Sequence, residues 1–238
     1  MKKFLKLSTL IVLFMGCQLA FAQDEMIREE RKASGYSSIK ASGIANVYLK
    51  KGDQEKVVVE VNDKRINERL RIEVVNHVLV IRMEKDGKWE NRNNNVELKV
   101  YVTYKTLSGL EGSGATNFNA EEEIKADQFN LELSGANNSK LNLNANKLVV
   151  ETSGASNATL NGQADKLQIS TSGASNVKAY DLKAAEVDAE SSGVSNIYVS
   201  VQDKLEVNAS GLSNINYKGS PKLITREVSK MATVKNRN

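Results

Sequence analysis

Cysteine, proline, histidine and tryptophan each occur once in this chain of 238 residues, and aromatic side chains make up only 5% of it. One Cys and one His exclude a Cys/His zinc site, a haem-attachment motif and a disulfide framework. So few rings leave little platform for stacking single-stranded nucleic acid. No metal and no cofactor are expected. What remains is sufficient for a folded protein: 40% hydrophobic and 26% charged residues can bury a core. The length allows one large domain or two modest ones.

Long apolar runs are also missing. Lys2, Lys3 and Lys6 precede an apolar stretch at residues 10–14, and Ala20-Phe21-Ala22 ahead of Gln23 has the small-x-small form of a signal-peptidase site. Residues 1–22 therefore read as a secretory signal. Their apolar part is shorter than the roughly 20 residues that a bilayer requires, so no transmembrane span is expected. Gly16-Cys17 has the form of a lipoprotein site, but Phe14 and Met15 suit the preceding positions poorly and the apolar run continues to Ala22. A lipid anchor at Cys17 is not expected; export to the periplasm, the outer-membrane surface or the medium is. Cleavage after Ala22 removes three Lys, so the formal charge falls from +4 to 30 basic against 29 acidic residues. That balance removes the support for nucleic-acid binding. It also removes the only Cys, leaving packing and backbone hydrogen bonds to hold an exported chain.

The second half repeats. The pentad Ser-Gly-x-x-Asn occurs at residues 113–117, 134–138, 153–157, 172–176, 192–196 and 210–214, so its serines recur at nearly even intervals. Ser229 continues the series in a version that keeps the apolar places and loses the Gly and the Asn. A period of roughly 20 residues with atypical ends is a solenoid signature. The fifth and third residues before each Ser are Phe129 and Leu131, Leu148 and Val150, Leu167 and Ile169, Val187 and Ala189, Leu205 and Val207, with polar residues between them. Seven places after each Ser stands Ala120, Leu141, Leu160, Ala179, Val199 or Tyr217. Alternation of period 2 marks strands with one buried face. The expectation is an all-β chain, a right-handed parallel β-helix of about 20-residue coils with a β-rich N-terminal capping part.

Each recurring place has a structural reason. Gly114, Gly135, Gly154, Gly173, Gly193 and Gly211 allow a corner with positive φ. The residues after them, Ala115, Ala136, Ala155, Ala174, Val194 and Leu212, are mostly small, as a narrow interior would require. Asn117, Asn138, Asn157, Asn176, Asn196 and Asn214 would stack from coil to coil, each amide donating and accepting in a ladder that fixes register.

The organisation expected is a signal at residues 1–22, a β-rich part at 23–107, solenoid repeats with a degenerate last turn at 108–234, and a tail at 235–238. The β-rich part carries strand composition at residues 56–61, 71–83 and 96–104, separated by polar stretches at 62–68 and 85–95. Ser42-Gly43-Ile44-Ala45-Asn46 matches the pentad, but the interval from Ser42 to Ser113 is not a whole number of turns. Either a first coil is interrupted by longer strands, or a β-module caps the solenoid and hides its open end.

The segment Ser42-Gly43-Ile44-Ala45-Asn46-Val47-Tyr48-Leu49-Lys50-Lys51-Gly52-Asp53, then Val57-Val58-Val59-Glu60, the Ser-Gly-Ala-Ser-Asn coils and Gly219-Ser220-Pro221-Lys222 together resemble the DUF2807 family. That family is labelled a "putative autotransporter adhesin head", or GIN domain, and is common in Bacteroidetes; the resemblance covers roughly residues 33–233. It implies an exported β-helical protein without an assigned activity. An autotransporter needs a C-terminal membrane barrel, and too few residues follow Asn214 to build one, so self-transport is not expected.

Candidate sites are few. Glu132, Glu151 and Glu190 share an outward place with Ser170 and Asn208; the interruption at Ser170 favours a solvated face over a Ca²⁺ site. His77 falls within the apolar stretch 74–81, as a structural residue. Enzymes on β-helices need paired carboxylates, or a base beside Arg or Lys, at a cleft. The coils at residues 113–214 carry no Arg, and their carboxylates show no clustering that breaks the repeat. Trp89 and Arg92, in the polar loop at residues 86–95, are the candidate ligand contacts, since a Trp among amides and charges can stack on a sugar ring. The expected function is a non-enzymatic, adhesin-like binding or scaffold protein of the envelope, with polysaccharide or a surface protein as partner. A carbohydrate-active β-helix enzyme and a purely structural component are the alternatives, and sideways packing of coils into an oligomer is compatible with all three.

Overall fold

The computed structural model describes residues 26–84 and 96–238. The first part comprises β1 (Ile27–Arg31), β2 (Ser38–Gly43), β3 (Asn46–Lys51), β4 (Lys56–Val61), the one-and-a-half-turn helix α1 (Lys64–Arg69), β5 (Leu70–Val75), β6 (Val78–Met83) and β7 (Leu98–Tyr104). Then come β8 (Gly109–Gly114), β9 (Asn117–Gly135), β10 (Asn138–Thr152), β11 (Asn157–Thr171), β12 (Asn176–Ser191), β13 (Asn196–Ala209), β14 (Asn214–Lys218), β15 (Lys222–Val228) and β16 (Thr233–Asn236). Coils stack into a β-solenoid of about seven turns. Among the described residues no helix is long and apolar enough to cross a membrane.

From β9 to β13 each strand is long because it turns a corner without breaking. Alternation of buried and exposed residues slips near the middle of each coil, at Asp127-Gln128, Asn146-Lys147, Asp165-Lys166 and Ala185-Glu186, where two consecutive side chains face outward, and at Gln202-Asp203-Lys204, where three do. The chain bends there from one face of the solenoid to the other. The first face follows each Asn and buries, for example, Leu141 and Leu143; the second precedes each Ser and buries Leu148 and Val150. Neighbouring coils pair in parallel with pentad over pentad, Asn138 on Asn157 and Asn157 on Asn176. Every interior Leu, Ile or Val withdrawn from water in this way stabilises the stack by about 1.5–3 kcal/mol.

The other corner is the pentad. Its six glycines have φ between +67° and +101°. A Cβ on any of them would also stand 2.5–2.8 Å from the carbonyl oxygen of the glycine one coil earlier. The corner glycines are thus constrained by conformation and by close stacking. The residues after them are not interior, contrary to the sequence-based expectation: Ala115, Ala136, Ala155, Ala174, Val194 and Leu212 are all exposed. Each instead donates its N–H to the glycine carbonyl one coil back, as Ala155 does to Gly135 at 2.7 Å. The inward residue is the next one, Thr116, Asn137, Ser156, Ser175, Ser195 or Ser213, each wholly buried. A small polar side chain is needed there because the turn leaves a carbonyl pointing inward. Ser156 Oγ donates to Ser153 O at 2.8 Å, and Ser195 and Ser213 reach the equivalent carbonyls at 2.7 Å.

The segment before residue 108 proves to be both an interrupted coil and a cap. β2 lies on β8 with Ser42 on Ser113, and β3 lies on β9 with Asn46 on Asn117, so the first pentad stacks directly on the second. The stretch between these two pentads is one turn with an insertion. That insertion supplies another rung, β6 parallel to β2 and β7 parallel to β3, and then changes direction. β5 pairs antiparallel with β6, and β4 and β1 continue antiparallel outward from β7. Residues 71–83 are therefore a hairpin, not one strand. His77 is not within a strand: with Asn76 it forms the two-residue turn, at φ +63° and +50° respectively, as a primed turn requires. Inside the polar stretch 62–68, Asp63 caps α1 by accepting from Arg65 N at 2.8 Å, and Ile66 is its buried anchor. At the far end Thr233 pairs with Asn214, so residues 229–233 form the degenerate corner that the sequence suggests.

Candidate functional site

The corner asparagines form a chain of amide hydrogen bonds. Asn117 Nδ2 donates to Asn46 Oδ1 at 2.8 Å, Asn157 to Asn138 at 3.2 Å, Asn176 to Asn157 at 3.0 Å, Asn196 to Asn176 at 2.8 Å and Asn214 to Asn196 at 3.0 Å. Between Asn117 and Asn138 the link runs through the backbone N–H of Asn138 instead, at 2.9 Å. These amides are occupied with one another from coil to coil.

Outside the ladder the two faces differ in charge. On the second face Glu111, Glu132, Glu151, Ser170, Glu190 and Asn208 stand in one column, and Lys40 forms an ion pair with Glu111 at its N-terminal end. Among the described residues no group of three or more His, Cys, Asp or Glu is placed to hold a metal ion. On the first face the column two places after the ladder runs Tyr101, Tyr48, Asn119, Lys140, Thr159, Lys178, Tyr198 and Asn216. Aromatic rings bracket it. Tyr48 stacks on Tyr101 with centroids 5.2 Å apart, and Tyr180 meets Tyr198 edge-on at 5.4 Å with the Lys218 ammonium 4.6 Å from the Tyr180 ring centre.

Register on the first face shifts where β9 meets β10, where β11 meets β12 and where β12 meets β13, and the first of these shifts opens a groove. From Asn119 to Glu123, β9 uses four steps where β10 uses two, from Lys140 to Asn142. This bulge pushes Glu121 and Glu122 outward, and β3 parts from β9 after Leu49 and Ala120. The result is a groove of about 790 Å³ lined by Tyr48, Lys50, Asn119, Glu121, Glu122, Lys140, Asn142 and Asn161, with Leu49 and Ala120 beneath. Carboxylates clustered against the repeat are thus present, contrary to expectation. Beneath the cap, burial, aided by the Glu122 carboxylate, pushes the hydroxyl of the core residue Tyr104 up to about 12. Bulges often occur where a sheet must re-aim side chains at a site.

Trp89 and Arg92, the expected ligand contacts, lie outside the described residues. His77 is exposed at its turn, with Nδ1 3.0 Å from the Gly35 carbonyl. The groove escaped sequence reading because its lining comes from four strands as far apart as Tyr48 and Asn161. Its one signal was the interval from Ser113 to Ser134, which is longer than the next one, from Ser134 to Ser153.

No curated protein matches the chain. Its fold is similar to that of a "putative adhesin" from Bacteroides fragilis NCTC 9343, at 24% identity and a TM-score of 0.81, over 90% of this chain and 98% of that one. A "putative adhesin" from Parabacteroides distasonis ATCC 8503 is similar at 23% identity and 0.69, over 90% and 97% of the two chains. A "putative lipid binding protein" from the same organism is similar at 17% and 0.59, over 89% and 94%. These likenesses carry the fold alone. The sequence matches the family model described as "Putative auto-transporter adhesin, head GIN domain" over residues 35–221, nearly the whole solenoid and its cap, and the chain therefore belongs to the DUF2807 family.

Proposed function

We propose that this protein is an exported, non-enzymatic scaffold of the cell envelope that holds a polymer, or another envelope protein, against the outward faces of its solenoid. The observation that carries the reading is register: outward side chains recur rung upon rung, so Lys140, Thr159, Lys178 and Tyr198 form one line along the stack. A line of this kind offers an outward contact at every coil, about 4.8 Å apart, which suits an extended partner better than a single small substrate. The adhesin-type family and the adhesin-named neighbours support the same reading. Export rests on residues 1–22, and Trp89 and Arg92 are proposed as additional contacts from the loop at 86–95.

Purified mature protein, immobilised and challenged with envelope extract and with a polysaccharide panel, tests this. Saturable capture of a partner with every polysaccharide left at its original length is the expected result. Depolymerisation of any panel member would establish an enzyme instead, and absence of saturable capture would leave a structural component. Surface proteolysis of intact cells, with mass spectrometry of the mature N-terminus, checks export and cleavage after Ala22.

A further inference from the structure

We infer that the groove at the β9 bulge is a binding site for a neutral saccharide chain; this deepens the scaffold reading and rests on it. The groove has the composition that sugar recognition needs, an apolar ring surrounded by uncommitted polar groups. Tyr48 is 36% exposed, and its ring is held on one side by Tyr101, whose hydroxyl donates to Glu60 Oε2 at 2.9 Å. Since Tyr101 lies on β7 and Asn119 lies across β3 on β9, the free side of the Tyr48 ring turns toward the groove. A pyranose presents a face of C–H bonds that packs on such a ring.

The amides differ from those of the ladder. Among the described residues the side chains of Asn119, Asn142 and Asn161 make no hydrogen bond within the protein, whereas each corner Asn is engaged by its neighbours. Asn142 stands directly on Asn161, one rung apart. That rise of about 4.8 Å is close to the length of one sugar unit in an extended chain. Each amide offers two donors and an acceptor, which matches vicinal hydroxyls.

Charge and pairing favour a neutral chain over the rivals. Two lysines, Lys50 and Lys140, are balanced by Glu121 and Glu122, so a polyanion entering the groove meets as much repulsion as attraction. A peptide strand needs an open sheet edge; β10 and β11 are paired on both sides here, and the edge left where β3 parts from β9 carries Glu121 and Glu122. Along β10 and β11 recognition runs through side chains, and these side chains suit hydroxyls.

The test is calorimetric titration of the mature protein with neutral gluco-, manno- and N-acetylglucosamine oligosaccharides and with uronic-acid oligosaccharides. Wild type, Tyr48→Ala, Tyr48→Phe, the double variant Asn142→Ala with Asn161→Ala, and Leu212→Ala at a distant exposed corner are compared, with thermal unfolding as a check on folding. The inference expects a neutral oligosaccharide to bind, Tyr48→Ala and the Asn double variant each to weaken it tenfold or more at unchanged melting temperature, and Tyr48→Phe and Leu212→Ala to retain it. Binding that survives in both groove variants, or binding of uronic-acid chains alone, overturns the groove while leaving the scaffold reading in place. Failure of every sugar to bind overturns the groove too, and envelope capture then decides the scaffold reading separately. If Tyr48→Ala melts early, the Asn double variant carries the decision, because its removed amides support nothing in the fold.

Discussion

A corner of this solenoid is specified by three residues that do different work. Glycine accepts the positive φ and lets the next coil approach; the fourth residue satisfies an inward carbonyl; asparagine ties one coil to the next. Gly154→Ala places a methyl group 2.6 Å from the Gly135 carbonyl oxygen at a φ of +73°, and both atoms belong to backbone that cannot move alone. A loss of about 3 kcal/mol or more, read as a shift in urea midpoint, is expected. The asparagines allow an internal comparison. Asn176 donates to Asn157 and accepts from Asn196, so Asn176→Ala leaves two partners unpaired and should cost about 1–3 kcal/mol. Asn161, outward on the same face and without a partner among the described residues, should tolerate alanine within about 0.5 kcal/mol. Equal losses at the two positions would contradict the ladder's structural role. Glycine and asparagine were legible because they recur; the fourth place varies between Thr, Asn and Ser, and its inward direction shows only once the turn is seen.

At the level of elements, strand identity followed from alternation, but the ends of strands did not. The β5–β6 hairpin reads as one apolar stretch because its turn, Asn76-His77, contains no glycine and Val75 pairs directly with Val78. Both turn residues hold positive φ, which Asn and His tolerate and a β-branched side chain does not. His77→Val is expected to lower stability by about 1–2 kcal/mol by denaturant titration, whereas a residue inside a strand would accept Val readily. The second corner was hidden for a related reason. It bends at pairs such as Asn146-Lys147 and Asp165-Lys166 while its backbone ladder continues, so no punctuating residue announces it. The bulge that opens the groove is the same kind of event, extra chain absorbed within a strand.

For the whole molecule, the cap converts a stack with an open end into one that finishes in antiparallel strands, and it does so around buried tyrosines. Tyr36 donates to the Thr103 carbonyl at 2.8 Å, and burial raises its hydroxyl, with the Glu55 carboxylate adding to the effect. Tyr104 is pushed up to about 12, against an unfolded value near 10. A folded value above the unfolded one means that the native state retains a proton the unfolded chain releases. The stability from this source is complete below pH 10 and declines as pH rises from 10 toward 12. Urea midpoints at pH 8, 10 and 11.5 should therefore fall more steeply for the wild type than for Tyr104→Phe; parallel curves would contradict the buried phenol. The same cap brings Tyr48 on β3 and Tyr101 on β7 together from well-separated segments, so the groove exists only when cap and coils are joined.

The sequence by itself determined the solenoid, its period, its pentad corner and its ladder, because these depend on local conformation and on apolar alternation that recurs with every coil. The family resemblance was readable for the same reason. Tertiary structure decided what repetition cannot encode: that Ser42 lies on Ser113 across an insertion, that the residue after each glycine faces water, and that Glu121 and Glu122 are displaced from the stack. Those outcomes depend on how one coil meets another, and each groove residue looks ordinary in its own strand until its neighbours arrive from elsewhere in the chain.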